Sequence, residues 1–318
     1  MYNIRCMTIN EAEELNTEEL PSSEETASQR AKLHKEARRK DFLQSMAFLS
    51  PSLIGVGIFF VLPFFVVVYY SLIDGTATRN FVGLQNFINL FQNSAFKMAC
   101  RNTLSFSVVA VPLSVILALA LAVMLEARIP GKSAFRSFFL SPMMVPVASI
   151  VLIWQVLFNY NGTVNALFNL DIDWLQSSYA QYVVVLLFLW KNLGYNMILF
   201  MSALSSIPKD LLEVADVSGA NEVYKFFNIK LRYLSPTIVF VTILSMINSF
   251  KIFREVYLLA GDYPYESLYM LQHFMNNTFH SLDYQKLSAA AIVMALFLVV
   301  VIWLLFKAED WFGRDIEG

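Results

Sequence analysis

The stretch Leu212–Pro236 reads LEVADVSGANEVYKFFNIKLRYLSP and lies between two long apolar runs. Glu213, Ala215 and Gly219 stand in it at the spacing E-x-A-x-x-x-G, followed by Ile229, Leu231 and Pro236. Leu211–Val217 holds no helix breaker after Pro208, and Lys209-Asp210 places an acid where a helix start favours one. Gly219 is positioned to end the helix, because glycine takes the left-handed conformation at little cost. Ala215 is small enough to let another backbone approach closely, and Glu213 and Asp216 can present charge to basic groups. The residues predict a short, rigid helix standing out between two apolar segments. The bland alternative is a surface helix that merely joins them.

The composition belongs to lipid rather than water. The chain of 318 residues is 57% hydrophobic and 15% charged, where a soluble domain is about 45–50% apolar and roughly a quarter charged. The net charge of −2 says nothing about partners, because the charges are segregated along the chain. Residues 1–41 read as a mobile cytoplasmic tail: a glutamate-rich, aromatic-poor start, then a basic run from Arg30 to Lys40. No short apolar region with a small-residue cleavage site precedes the first apolar run, so a signal peptide is not expected. Cys6 and Cys100 support neither a disulfide framework nor a zinc site. His34, His273 and His280 are scattered and read as solvated or interfacial residues rather than metal ligands.

A helix needs about 20 apolar residues to cross the hydrocarbon core. Six segments meet that requirement: Ala47–Tyr70, Thr103–Leu125, Phe138–Phe158, Tyr182–Leu204, Thr237–Leu259 and Leu287–Phe306. Asn248, Lys251, Arg254 and Glu255 interrupt the fifth, and its alternative is a shorter span ending near Phe250 with an interfacial stretch after it. The expected fold is an all-α integral membrane domain over residues 42–318, including the polar loop 206–236. Lysine and arginine count sixteen in the tail and alternate loops against six in the others. That asymmetry places both termini and the loop in the cytoplasm. Pro63, Pro112, Pro142 and Pro146 fall within or at the mouth of spans and predict kinks. They read as static packing features or as hinges for gating.

No catalytic chemistry is legible. Gly131-Lys132-Ser133 suggests a phosphate loop, but Glu126 stands where the first glycine is required and a membrane helix rather than a strand precedes it. Metal-ligand and nucleophile motifs are absent as well, so no enzyme activity is expected.

Other segments widen the reading. Phe81–Phe87 reads FVGLQNF and is followed by Arg101-Asn102-Thr103. Arg136–Pro142 reads RSFFLSP, with Val145-Pro146 after it; Ile153-Trp154 and Gly162-Thr163-Val164-Asn165 come next, then Trp190, Gly194–Met197 and Ser206–Lys209. In this order, over about Leu43 to Phe306, the chain resembles permease subunits of binding-protein-dependent, ATP-binding-cassette sugar importers. It is similar to the compact first-subunit form found among maltose and glycerol-3-phosphate importers. Val214, Ser218, Arg232 and the Ala260–Pro264 segment depart from the family's usual pattern.

That resemblance implies that Leu212–Pro236 is the EAA loop, the element a separate ATPase drives. Glu213, Ala215, Asp216, Gly219, Ala220, Phe226, Ile229, Leu231 and Pro236 would carry the coupling. It implies as partners a second permease subunit in a heterodimer, two ATP-binding-cassette ATPase subunits and an extracellular solute-binding protein. It places the chain as a multi-pass protein of a bacterial-type inner membrane. No cofactor is expected in this chain, since ATP would be bound by the partner ATPases, and no nucleic acid.

Lys191 is the oddest residue, near the middle of the fourth span beside Asn192. A lysine at a helix centre costs about 2.5–3.5 kcal/mol on insertion scales, so it should face protein or a wet cavity. Asn196 shares a face with Asn192, and Asn248 and Ser249 of the fifth span are candidates to meet them. Such a strip suits a hydroxyl-rich solute path. It equally suits interhelical contact or contact with a partner permease. A sugar or oligosaccharide is the expected cargo. The alternatives are a non-sugar solute, such as a polyamine or phosphate ester, and a secondary transporter or channel working alone.

Overall fold

A computed structural model describes residues 40, 42, 44–75, 78–126 and 131–313. Apart from Lys40, the expected tail 1–41 lies outside the described residues, and with it Cys6 and His34. Six helices among the described residues are long and apolar enough to cross a membrane: Gln44–Ser71, Ser94–Glu126, Val147–Phe168, Ala180–Ser205, Ser235–Ala260 and Tyr284–Asp310. They are called here the first to sixth spans. Among the described residues there is also a two-stranded antiparallel pair, Ile73–Asp74 with Asn80–Phe81.

Two compact units divide the chain, Met1–Val66 and Val67–Gly318. In the first, large apolar side chains including Phe48, Phe59, Phe60 and Phe65 are exposed all round the helix, as suits a surface bathed by hydrocarbon. Between Gly57 and Val61 this helix widens into a π turn, closed by the Leu62 N–H on the Gly57 carbonyl. Pro63 follows at once. It has no N–H to give and its ring crowds the preceding turn, which the wider turn relieves.

In the second unit the second and fourth spans pack against each other most extensively. The second span explains why. Ala99, Thr103, Ser107, Ala110, Ser114, Ala118 and Ala122 are all buried and recur at three- or four-residue spacing. A stripe of small side chains lets helices approach closely where lipid gives no hydrophobic drive to associate. Pro112 is accommodated inside this helix. On the other side of the fourth span, Gly194 makes the contact. A Cβ built there would lie 1.9 Å from the Phe139 carbonyl oxygen, so the helix Lys132–Met144 crosses it backbone to backbone.

The third span departs from the expectation of one helix over Phe138–Phe158. Lys132–Met144 and Val147–Phe158 are separate helices, divided at Val145, which is extended (φ −83°, ψ 132°). A residue preceding proline is pushed out of the helical region, so Pro146 ends one helix and opens the next. The membrane-length element begins at Val147 and runs on through Thr163–Phe168. Gly162 sits at the junction, where a Cβ would come within 2.7–2.8 Å of the carbonyls of Val156, Leu157 and Asn159. The fifth span is also interrupted, running Ser235–Lys251, turning at Ile252 and resuming over Phe253–Ala260.

Three asparagines of the recognisable segments share one task. Asn86 Nδ2 donates to the carbonyls of Ser71 and Ile73, 2.9 Å each. Asn102 Nδ2 reaches the carbonyls of Glu266 and Tyr269 at 2.6 and 3.0 Å. Asn165 Nδ2 reaches those of Tyr160 and Ile172 at 2.8 and 2.7 Å, while its Oδ1 accepts from Trp174 Nε1 at 2.6 Å. Each amide donates to two backbone carbonyls at once and so pins a turn or helix end beside its span. His273, expected to be solvated or interfacial, is instead fully buried, with Phe253 and Tyr269 against its ring. Its Nδ1 accepts from the Met270 N–H at 3.3 Å, ahead of the helix Leu271–His280.

Candidate functional site

The loop between the fourth and fifth spans folds as a helix-turn-helix. Its first helix is Lys209–Val217, opened by Pro208 and with Asp210 in the first turn. Gly219 at φ 76° ends it. The Ala220 N–H donates to the Ala215 carbonyl and the Gly219 N–H to that of Asp216, both at 3.0 Å. These paired bonds form a Schellman cap, which satisfies the last carbonyls and needs a left-handed residue at the turn. Asn221 then caps the next helix, Glu222–Lys225, its Oδ1 accepting from the Tyr224 N–H at 2.7 Å.

Lys225 joins the two helices, donating to Asp216 and to Glu222 at 2.5 Å each. Hydrogen bonding to Asp216 first, and then to Glu222, raises its pKa above the usual lysine value. Asp216 is therefore engaged inside the loop, whereas Glu213 is exposed and forms no ion pair among the described residues. Half-buried Phe226 and Ile229 lie on a π turn, Phe226–Lys230, closed by the Leu231 N–H on the Phe226 carbonyl. Leu231 is likewise half-buried, and Pro236 sits in the first turn of the fifth span, where a missing N–H leaves nothing unpaired.

Two links run from this loop to the spans. Leu212 packs against the apolar cluster of Val115, Ala118, Met197, Phe200 and Val241, drawn from the second, fourth and fifth spans, with Leu234 just ahead of the fifth. Lys230 donates to Glu126 Oε2 at 2.8 Å, tying the loop to the end of the second span. The opposite face is bare: Val214 is 66% and Val217 91% exposed, and Val223, Tyr224 and Phe227 of the following turns are exposed as well.

The second feature is a cavity of about 660 Å³ at the fourth and fifth spans. Lys191, Asn192, Tyr195 and Asn248 line it, with Glu255 and Gln272. Lys191 forms an ion pair with Glu255, and Asn248 Nδ2 donates to Asn192 Oδ1 at 2.9 Å. Asn196 and Ser249 do not line the cavity. Asn196 Nδ2 lies 2.9 Å from both Ser114 Oγ and Ser245 Oγ, a buried knot tying the second, fourth and fifth spans. Ser249 Oγ meets Ser107 Oγ at 2.9 Å and ties the fifth span to the second. The expected strip is thus two structures, a cavity wall and a buried clamp.

Glu255, Lys251, Arg254, Tyr195 and Gln272 also line the cavity and are not picked out by the linear pattern as path residues. The signal for Glu255 was available. Two opposite charges in different apolar spans each need compensation and can provide it to one another.

Six membrane-length helices among the described residues, a polar cavity at the fourth and fifth spans, and a helix-turn-helix fastened to the spans of the second unit define a multi-pass transport component. The chain belongs to the family of binding-protein-dependent transport system inner membrane components, whose model matches residues 110–318. It is 31% identical over 291 residues to the probable ABC transporter permease protein YesP of Bacillus subtilis (strain 168), covering 86% of this chain and 92% of that one. Over 259 residues it is 30% identical to the sn-glycerol-3-phosphate transport system permease protein UgpA of Yersinia pestis, covering 78% and 88%. Over 274 residues it is 28% identical to the trehalose/maltose transport system permease protein MalF of Thermococcus litoralis, covering 83% and 92%. The fold matches that of a chain in the crystal structure of a bacterial ABC transporter importing the acidic polysaccharide alginate, with a TM-score of 0.75. That match has 20% identity and covers 90% of this chain and 100% of that one. The chain is an inner-membrane permease of an ABC importer.

Proposed function

We propose that this permease passes a sugar or oligosaccharide across the inner membrane, driven through the helix Lys209–Val217 by a separate ATPase. The observation that carries the coupling is the two-sidedness of that helix. Leu212 is held in the apolar cluster of the spans, while Val214 and Val217 stand exposed. An apolar face on a polar loop invites a partner, and a helix fastened to the second, fourth and fifth spans transmits a push to them. Glu213, Ala215, Gly219 and Ala220 shape the contact, and Asp216 with Lys225 stiffens it. The excess of lysine and arginine on this side supports a cytoplasmic loop and cytoplasmic termini.

The cargo reading rests on the sugar and glycerol-phosphate importers among the relatives and on the amide and hydroxyl groups of the cavity wall. A solute-binding protein delivers the cargo, as the family's description implies. A second permease subunit completes the path, two ATPase subunits bind the ATP, and this chain acts without catalysis of its own. The test is Val217→Asp in the reconstituted complex. The expected result is normal insertion and basal ATP hydrolysis with loss of the stimulation that solute-loaded binding protein gives. Unaltered stimulation would overturn the assignment.

A further inference from the structure

The cavity carries more positive charge than its own structure uses. Lys191, Lys251, Arg254 and Glu255 all line it. Glu255 is 2% exposed and is taken by Lys191, so those two charges cancel. Lys251 and Arg254 remain. Both are exposed, and neither forms an ion pair among the described residues. They stand three positions apart, on either side of the turn at Ile252, within the fifth membrane-length element.

Two like charges in such an element are doubly unfavourable. Each costs about 2.5–3.5 kcal/mol to place at mid-membrane on insertion scales, and each raises the cost of the other. Neither is needed to satisfy a buried acid, since Glu255 already has its lysine. What would recover the cost is water together with a mobile counter-charge. The other polar lining is neutral: Asn192, Asn248, Tyr195 and Gln272 offer amides and a phenol. The cavity's volume of about 660 Å³ falls among small-molecule sites, roughly 300–1,000 Å³.

We propose that this cavity selects an anionic, hydroxyl-rich solute, a sugar acid or a sugar phosphate, with Lys251 and Arg254 as its anion-binding pair. The inference rests on the cavity being the solute path. The guanidinium fork of Arg254 suits a carboxylate or phosphate, with two parallel N–H donors for two oxygens. Lys251 adds a point charge, and the neutral amides are left for hydroxyl groups. The Lys191–Glu255 pair forms a wall that adds no net charge. A cationic solute such as a polyamine meets repulsion here.

The experiment uses the full transporter as it co-purifies with this chain, held in nanodiscs. Binding of three probes is measured by calorimetry: digalacturonate, glycerol 3-phosphate and the uncharged galactobiose. We expect at least one anion to bind about tenfold tighter than galactobiose, since charge-assisted bonds are about twice as strong as neutral ones. Which anion does so separates a carboxylate from a phosphate cargo. K251Q/R254Q should abolish that preference, while K251R/R254K, which keeps the charge, should retain it. Galactobiose binding as tightly as both anions overturns the inference and leaves the cavity as a neutral-sugar path. Failure of all three probes to bind overturns the path reading with it. Loss of a co-purifying partner in K251Q/R254Q, with recovery in K251R/R254K, makes the two cations interface pairs and overturns the inference also.

Discussion

Lys191 of the fourth span and Glu255 of the fifth stand 64 residues apart in the chain and meet in an ion pair at the cavity wall. Their environments are unequal, with side-chain exposures of 28% for Lys191 and 3% for Glu255. The acid is therefore the group that cannot stand alone. Lys191→Met should strand a buried carboxylate and destabilise the protein by about 3–5 kcal/mol. Lys191→Met/Glu255→Gln should recover most of that loss, seen as restored thermal stability and complex yield. If the two substitutions simply add, the pair contributes nothing and Lys191 is a tolerated, snorkelling residue.

Gly219 holds a backbone conformation rather than a contact. At φ 76° it meets nothing within 4 Å where a Cβ would point, so the obstacle to substitution is conformational. Gly219→Val should cost the Schellman cap about 1–2 kcal/mol and reduce solute-stimulated ATP hydrolysis. Gly219→Asn, which tolerates the left-handed region better, should keep most of it. Equal activity in the two variants would show that the cap does not matter for coupling.

Gly194 is the opposite case. Its helical backbone would accept any residue, but a Cβ would lie 1.9 Å from the Phe139 carbonyl oxygen. Gly194→Ala should force Lys132–Met144 off the fourth span, with an overpacking cost of about 1–3 kcal/mol or more. A lowered melting temperature and poorer complex yield should follow. Wild-type stability would mean that this crossing adjusts freely.

His273 makes the described unit sensitive to acid. Burial lowers its pKa from 6.5 to about 4, against a smaller upward pull from Asp262. The fold thus holds the neutral ring while the unfolded chain takes up a proton below pH 6.5. This contribution is complete above that pH and is lost as the pH falls towards 4, up to about 3 kcal/mol in all. His273→Gln, which keeps an acceptor for the Met270 N–H, should flatten this part of the stability profile between pH 6.5 and 4. An unchanged slope would assign the acid sensitivity to other groups.

Orientation can be read with cysteine labelling. Ser133 and Ser218 are exposed beside the third span and in the loop between the fourth and fifth spans, and Ser178 is exposed before the fourth span. With an impermeant thiol reagent outside intact cells, Ser178→Cys should be labelled and Ser133→Cys and Ser218→Cys should not. External labelling of either of the last two would reverse the charge-based topology.

Much of this molecule is legible along the line of the chain. Membrane-length apolar runs define spans because lipid satisfies no backbone group and a helix must satisfy its own. Leu211–Gly219 reads as a capped helix because caps depend on residues only a few positions apart. The break at Pro146 was legible by the same local rule, although the apolar content of Phe138–Phe158 suggests one continuous helix. Periodicity puts Asn192 and Asn196 on one helix face, but it does not say what lies opposite. Packing against Ser114 and Ser245 buries Asn196 in a clamp, while Asn192 and Asn248 are left at the cavity. The pairing of Lys191 with Glu255, and the lack of an ion pair at Lys251 and Arg254 among the described residues, likewise depend on how the fourth and fifth spans meet. Local rules govern backbone conformation, whose energies are set within a turn or two. Charge pairing and solvation depend on which distant helix fills the space, and only the packed structure decides that.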